Sequence, residues 1–233
     1  MAILVVAHEK GGVGKTTLAF NLASFFDGFL PTKIIDLDSN RMFTTLNSFR
    51  GYCNLKSFNV VDPTNISEEE FYSILSEYVG ANDKLLIVDS GGYDSTDSSR
   101  IMGIADFILI PAGNKMVEIL ALQKYEAVLD RIRSAKKEAG FPDEMPCYVV
   151  FNRVHPNTKN YEETDLGRFL LESSHYKLLS SVIKDRSSFN NTLVEGGYTV
   201  LEKGSFDAKK EICDLGEEIS EILYEKLNGG NDE

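Results

Sequence analysis

Residues 7–17 read AHEKGGVGKTT, and their chemistry is that of a phosphate cradle. Gly11, Gly12 and Gly14 let backbone N–H groups turn inward around phosphate oxygens that Cβ atoms would obstruct. Lys15 can reach the β- and γ-phosphates of a nucleotide, and Thr16 offers a hydroxyl to Mg²⁺. The helix opening at Thr16 adds the positive end of its dipole. Val13 and Thr17 complete the loop. One position departs from the pattern G-x-x-x-x-G-K-[ST]: Glu9 stands where the first glycine belongs, and an additional lysine, Lys10, follows it. Taken alone, Lys10 also fits a solvated surface lysine.

Phosphate chemistry needs carboxylates for its metal and its water. In IIDLDSN, Asp36 and Asp38 stand two apart at the end of an apolar run over 33–38. On an extended segment they share one face and can enter the same crevice. A strand-end turn capped by aspartate fits the same residues. In LLIVDSGG, Asp89 follows four apolar residues, at the strand end where α/β sheets place their ligands. Asp89 would hold Mg²⁺ through water, with Thr16 and Asp36 on the same ion. Gly91 and Gly92 then suggest a loop that moves with the γ-phosphate.

These residues need strands and helices to position them. Apolar runs recur at 3–7, 33–38, 85–90, 107–112, 147–152 and, more weakly, 178–183. Apolar on both faces, they suit strands buried in a parallel sheet. Helical stripes lie between them: Leu18, Leu22 and Phe25–Phe26; Phe71, Leu75 and Val79; 120–139, stopped by Gly140 and Pro142; 162–174; and 207–227, with Ile212, Leu215, Ile219, Ile222 and Leu223 on its apolar side. The alternation predicts an α/β fold, a doubly wound, mostly parallel twisted sheet flanked by helices. It predicts a single domain over 1–227 and a disordered tail over 228–233.

Composition narrows the function classes. The chain has 233 residues, 42% hydrophobic, enough for one core. No apolar run approaches the ~20 residues of a membrane span, and the N-terminus lacks a signal-peptide pattern, so a cytoplasmic protein is expected. Cys53, Cys147 and Cys213 are far apart and fit buried thiols better than a metal site. A net charge of −12 argues against coating nucleic acid with the whole surface.

The order K-G-G-V-G-K-T-T resembles the deviant Walker A motif of the ParA/MinD family of P-loop ATPases. The resemblance covers 2–225, strongest at 10–17 and weak between 41 and 80. It implies ATP and Mg²⁺ as cofactors and a homodimer that sandwiches two ATP molecules, with Lys10 crossing to the partner's phosphates. Lys10, Lys15 and Asp38 are then the catalytic set, Asp38 orienting the attacking water. Ser39 and Asn40 replace the family's usual proline and glutamine after that aspartate. In VVFNRVHPN the resemblance assigns Asn152 to the adenine edge, with Arg153 stacking on the base; the residues alone also fit a polar strand exit. In SVIKDRSSFNN, Lys184 and Arg186 stand near the family's proline–arginine pair.

Among the family's trades the sequence is most similar to small ParA-type partition ATPases. Residues 211–233 hold eight acids against one lysine, which anionic lipid would repel, so no membrane partner is expected. Cluster cysteines and a tyrosine-rich tail are absent, and no helix-turn-helix precedes the first strand. The expectation is an ATPase that binds non-specific DNA, associates with the nucleoid, and drives plasmid or chromosome partition with a ParB-type partner. Lys177, Lys184, Arg186, Lys203, Lys209 and Lys210 are the candidate DNA cations, against four acids in 176–210. The alternatives are a ParA-like ATPase that positions other cargo, such as a DNA-transfer complex or chemoreceptor array, and a metabolic P-loop enzyme of the dethiobiotin synthetase type.

Overall fold

The structure, a computed structural model, describes residues 3–91 and 96–229. Seven parallel strands form one sheet in the order β3-β2-β4-β1-β5-β6-β7. They are β1 (Ile3–Val6), β2 (Thr32–Asp36), β3 (Asn59–Val61), β4 (Leu85–Asp89), β5 (Phe107–Ala112), β6 (Cys147–Val154) and β7 (Lys177–Lys184). β1, β4 and β5 are buried throughout, as strands covered on both faces must be.

Helices cover both faces. On one lie α1 (Lys15–Phe26), α2 (Met42–Tyr52), α7 (Ser187–Val194), α8 (Val200–Lys203) and α9 (Phe206–Gly229). On the other lie α3 (Glu68–Tyr78), α4 (Thr96–Ile104), α5 (Met116–Glu138) and α6 (Asp165–Glu172). The stripe of α1 packs Leu18, Leu22 and Phe26 against Ile212, Leu215 and Ile219 of α9 in one core. Parallel register aligns the strand ends that matter: Val6 is level with Asp89, and Asp89 with Asp36. The loops after β1, β2, β4 and β6 therefore all open at one edge of the sheet.

Several sequence expectations are corrected. β2 stops at Asp36 rather than Asp38, because the Asp36 carboxylate accepts from the backbone N of Asp38 (3.2 Å) and of Thr44 (2.9 Å), ending the strand and capping α2. β3 and α2 fall in the stretch where no element was assigned. Val79 lies beyond the end of α3 and is 54% exposed; Tyr78 takes its place in the core. The 162–174 helix shortens to α6, preceded by a single turn over Tyr161–Glu163. α9 continues to Gly229, and residues 230–233 of the expected tail lie outside the described residues.

α2 is held by a buried arginine. Arg50, 2% exposed, donates to Lys56 O (2.7 Å) and Gly197 O (2.9 Å) and makes a two-pronged pair with Glu202 on α8 (2.7 and 2.9 Å). Its guanidinium also lies 4.3 Å from the Phe58 ring centroid. Burial pushes the Glu202 carboxyl up, but the bonds from Arg50 and Thr199 outweigh it and hold the group below its usual range. A depressed folded value means that this stabilisation is complete above about pH 4.3 and lost as pH falls further. Arg50→Ala strands two carbonyls and leaves a cavity. Because Glu202 keeps some contact with water, the expected loss is about 3 kcal/mol, read as a lower urea midpoint at pH 7.

Candidate active site

The β1–α1 loop wraps toward the N-terminus of α1. Gly12 and Gly14 have φ of 77° and 96°, values that side-chain-bearing residues rarely adopt. A Cβ at Gly14 would also lie 2.5 Å from Asn152 Nδ2. The first helical bond runs from Leu18 N to Gly14 O, so the N–H groups of Lys15, Thr16 and Thr17 have no acceptor within the helix. No side chain caps this end and no acid sits in its first turn. Three outward N–H groups at the positive end of a dipole suit a phosphate.

Lys15 is 6% exposed, with its ammonium 3.2 Å from Lys10 O. Burial lowers its pKa, and Asp89 and Asp38 pull it back up. Asp89 is fully buried, and neither carboxylate oxygen has a hydrogen-bond partner among the described residues. Burial pushes its pKa up to about 8; Thr16 and Lys15 oppose this, and Asp36 and Asp38 add to it. Two orphaned carboxylate oxygens beside a threonine hydroxyl are what a hydrated Mg²⁺ would satisfy, so Asp89 and Thr16 fit that ion.

Asp36, also fully buried, has its oxygens engaged by Asp38 N, Thr44 N and the Thr44 hydroxyl (2.8 Å). Expected as a metal ligand, it serves in the structure as the cap that sets α2. Asp38 is half-buried and closes a turn by accepting from Asn40 N (2.9 Å). The two aspartates therefore do not share a strand face. Asp38 does line a cleft of about 1040 Å³ with Gly12, Lys15, Thr16, Ser90 and Gly91. Gly92, expected in the moving loop, lies outside the described residues.

The front of the loop is tethered to α5 through Lys124 and Glu118, which the sequence did not single out. Glu9, at the missing glycine, pairs with Lys124. Lys10 pairs with Glu118, which is 4% exposed and 108 positions away. Beneath them His8, 2% exposed, accepts from Lys10 N through Nδ1 (2.9 Å). Burial, then Lys15 and Lys10, lower its pKa to about 4. It is therefore neutral at pH 7, with its proton on Nε2, 3.9 Å from Glu118 Oε2. The second lysine thus points out of the cradle that Lys15 fills. Met42, Met116, Val117 and Leu120, each about half exposed, belong to the elements at this rim.

Asn152 and Arg153 reach the loop from β6. Asn152 Nδ2 donates to Val13 O (2.6 Å), and Arg153 Nη1 to Gly12 O (3.0 Å). These bonds brace the phosphate loop and place both side chains, expected to read and stack on a base, against it. Beside them a small cavity of about 30 Å³ is bounded by Gly14, Asn152, Asp185, Arg186 and Phe189.

The six cations assigned to DNA do not form a free basic patch. Arg186 pairs with Glu211 (2.8 Å) and Asp207 (2.9 Å), Lys203 with Glu195 (2.6 Å), and Lys210 with Asp214 (2.6 Å). Lys177 lies 3.8 Å from Glu144. Lys184 and Lys209 are half-buried. A charge count over 176–210 includes Glu195 and Asp207 but not Glu144, Glu211 and Asp214, which lie outside that range.

Comparison with known proteins gives the family and the fold. The chain is 24% identical over 231 residues to Protein ParA of Rhizobium radiobacter, covering 97% of this chain and 98% of that protein. It is similar in fold to a plasmid partition protein from Borrelia burgdorferi B31 bound to AMPPNP (TM-score 0.65, 16% identity, 97% of this chain and 99% of that one). It is also similar in fold to McdA from Cyanothece in complex with ATP (TM-score 0.65, 17% identity, 94% and 96%). The model of the CobQ/CobB/MinD/ParA nucleotide binding domain matches residues 4–200. The chain belongs to this ParA/MinD family of P-loop ATPases.

Proposed function

We propose that this chain is a small ParA-type partition ATPase whose active site is completed by a second copy. The observation that carries the reading is the placement of Lys10. Its ammonium leaves the loop that Lys15 occupies and sits at the rim on Glu118, where a second protomer could reach it. Within one protomer, the N–H groups of the loop and Lys15 bind the β- and γ-phosphates, and Thr16 and Asp89 hold Mg²⁺. That ion, when bound, neutralises charge on the phosphate oxygens. Asp38 orients the attacking water. Lys10 of each copy then moves from Glu118 to the partner's phosphates.

That move leaves Glu118 buried without its counter-charge, which opposes dimerisation. Glu118→Gln removes the opposing charge. It is expected to lower the ATP concentration for half-maximal dimerisation by about tenfold, equivalent to about 1.4 kcal/mol. Lys10→Ala is expected to retain nucleotide binding and to lose the dimer. Light scattering against ATP concentration, beside nucleotide affinity by fluorescence, checks both. A fully active Lys10→Ala dimer would show that Lys10 does not cross.

The dimer is proposed to hold non-specific DNA in the cytoplasm at the nucleoid, and a ParB-type partner to stimulate hydrolysis and release it. No described helix is long and apolar enough to cross a membrane. With most candidate cations paired inside the chain, one protomer has a weak hold on phosphates, and two copies on one face double it. If each neutralises about two or three phosphates, the log–log salt slope is roughly −4 to −5. Fluorescence anisotropy on a random duplex should find that slope with ATP and no binding without it. Absence of binding at low salt with ATP would transfer the reading to the positioning of another cargo.

A further inference from the structure

At the end of the sheet away from the phosphate loop, three helices end around a groove of about 1320 Å³, which meets the nucleotide cleft along α5 at Val128 and Arg131. Val79 follows the end of α3, Ile104 closes α4, and Phe141 follows α5. All three line the groove and are exposed, by 54%, 42% and 65%. Leu75 and Ile132 form buried parts of its wall. Apolar side chains gathered in one concave surface, rather than scattered singly, mark an interaction site.

The charge around it is unlike the rest of the molecule. Lys136 and Lys226 line the groove beside one acid, Glu144, on a chain of net charge −12; of the arginines in its wall, Arg100 lies 3.9 Å from Asp97 and Arg131 also lines the nucleotide cleft. Glu144 also faces Lys177 at 3.8 Å. Lys136 donates to the backbone oxygen of Glu144 (3.0 Å) and Lys226 to that of Asp106 (3.3 Å), neither to a carboxylate. Burial and then repulsion from Lys226 lower the pKa of Lys136, with Glu144 and Asp143 acting against them. Two ammonium groups that repel one another beside an apolar trough are complementary to an anionic, apolar-faced ligand.

Shape sets the length of that ligand. α5 borders the groove from Val128 to Ala139, about 18 Å of helix at ~1.5 Å per residue. We propose that the groove docks an acidic amphipathic helix of three to four turns from a partner protein. Its apolar stripe seats against Val79, Ile104 and Phe141, and its flanking carboxylates meet Lys136 and Lys226. The proposal does not depend on the nucleotide reading.

The test uses the full chain without nucleotide and two labelled helical peptides of roughly fourteen residues. They share a Leu/Ala stripe and differ in carrying glutamates or lysines on the flanks. Fluorescence anisotropy at low salt is expected to give binding of the glutamate peptide at least about tenfold tighter than the lysine peptide. Phe141→Asp, at an exposed position, and the double variant Lys136→Glu/Lys226→Glu should each weaken the glutamate peptide by about tenfold or more with unchanged circular dichroism and melting. The double variant should now prefer the lysine peptide. Equal affinity for the two peptides, or binding indifferent to both variants, overturns the proposal. So does displacement of the glutamate peptide by duplex DNA, which would make the groove a nucleic-acid site. So does nucleotide-free self-association that Phe141→Asp abolishes, which would make it an interface between copies.

Discussion

Replacing Lys15 with alanine is expected to weaken ATP binding at least a hundredfold without unfolding the protein. The ammonium lies at the mouth of the loop, bonded to Lys10 O, and faces Asp89 and Asp38 electrostatically. Charge-assisted hydrogen bonds to two phosphates are worth about 1.5–3 kcal/mol each, so their joint loss exceeds about 3 kcal/mol. In the nucleotide-free chain the balance differs. Lys15 is buried with its charged form disfavoured, so its removal relieves desolvation and costs little folding energy. Equilibrium binding of a fluorescent ATP analogue, beside a melting curve without nucleotide, checks both halves. Unchanged affinity would contradict the assignment of the loop.

Asp38→Ala is expected to bind ATP and Mg²⁺ at near normal affinity and to lower turnover by about 10²–10³-fold. Among the described residues the Asp38 side chain accepts hydrogen bonds from Asn40 rather than from the phosphate loop. The loop N–H groups, Lys15, Thr16 and Asp89 are untouched by its loss. Phosphoryl transfer depends on positioning the water and stabilising charge more than on covalent help from the protein. The loss therefore falls on kcat and not on binding. Opening the Asn40 turn affects only a surface loop, so stability should change little. Normal turnover by the variant would make Asp38 a turn residue, the other role its geometry supports, and would place water orientation on a different group.

The phosphate loop was legible because its chemistry is local: eight consecutive residues fix glycine φ values, lysine reach and helix start together. All six apolar runs became strands within two residues of their expected ends, since a run of apolar residues leaves an uninterrupted signal. β3 did not, because three residues at a sheet edge carry no such run. α2 did not, because one of its three core-facing residues is Arg50, whose charge reads as surface until Glu202 is found 152 positions away. Long-range pairing is the common factor in the other surprises. Glu118 had no local feature to distinguish it, and Arg186 could not be seen as neutralised without Glu211 on α9. Asp36 shows a different limit: its type and spacing suit a metal ligand, and only the hydrogen bonds from Thr44 reveal the cap.

The most direct test of a site completed by a second copy is the solution mass of the Asp38→Ala chain, which should bind ATP without consuming it. Multi-angle light scattering with ATP and Mg²⁺ is predicted to give twice the protomer mass, and with ADP the protomer mass. Adding Lys10→Ala to the same chain is predicted to return it to the protomer mass with ATP still bound. A chain that saturates with ATP and remains a monomer, or one that doubles regardless of Lys10, would contradict the account.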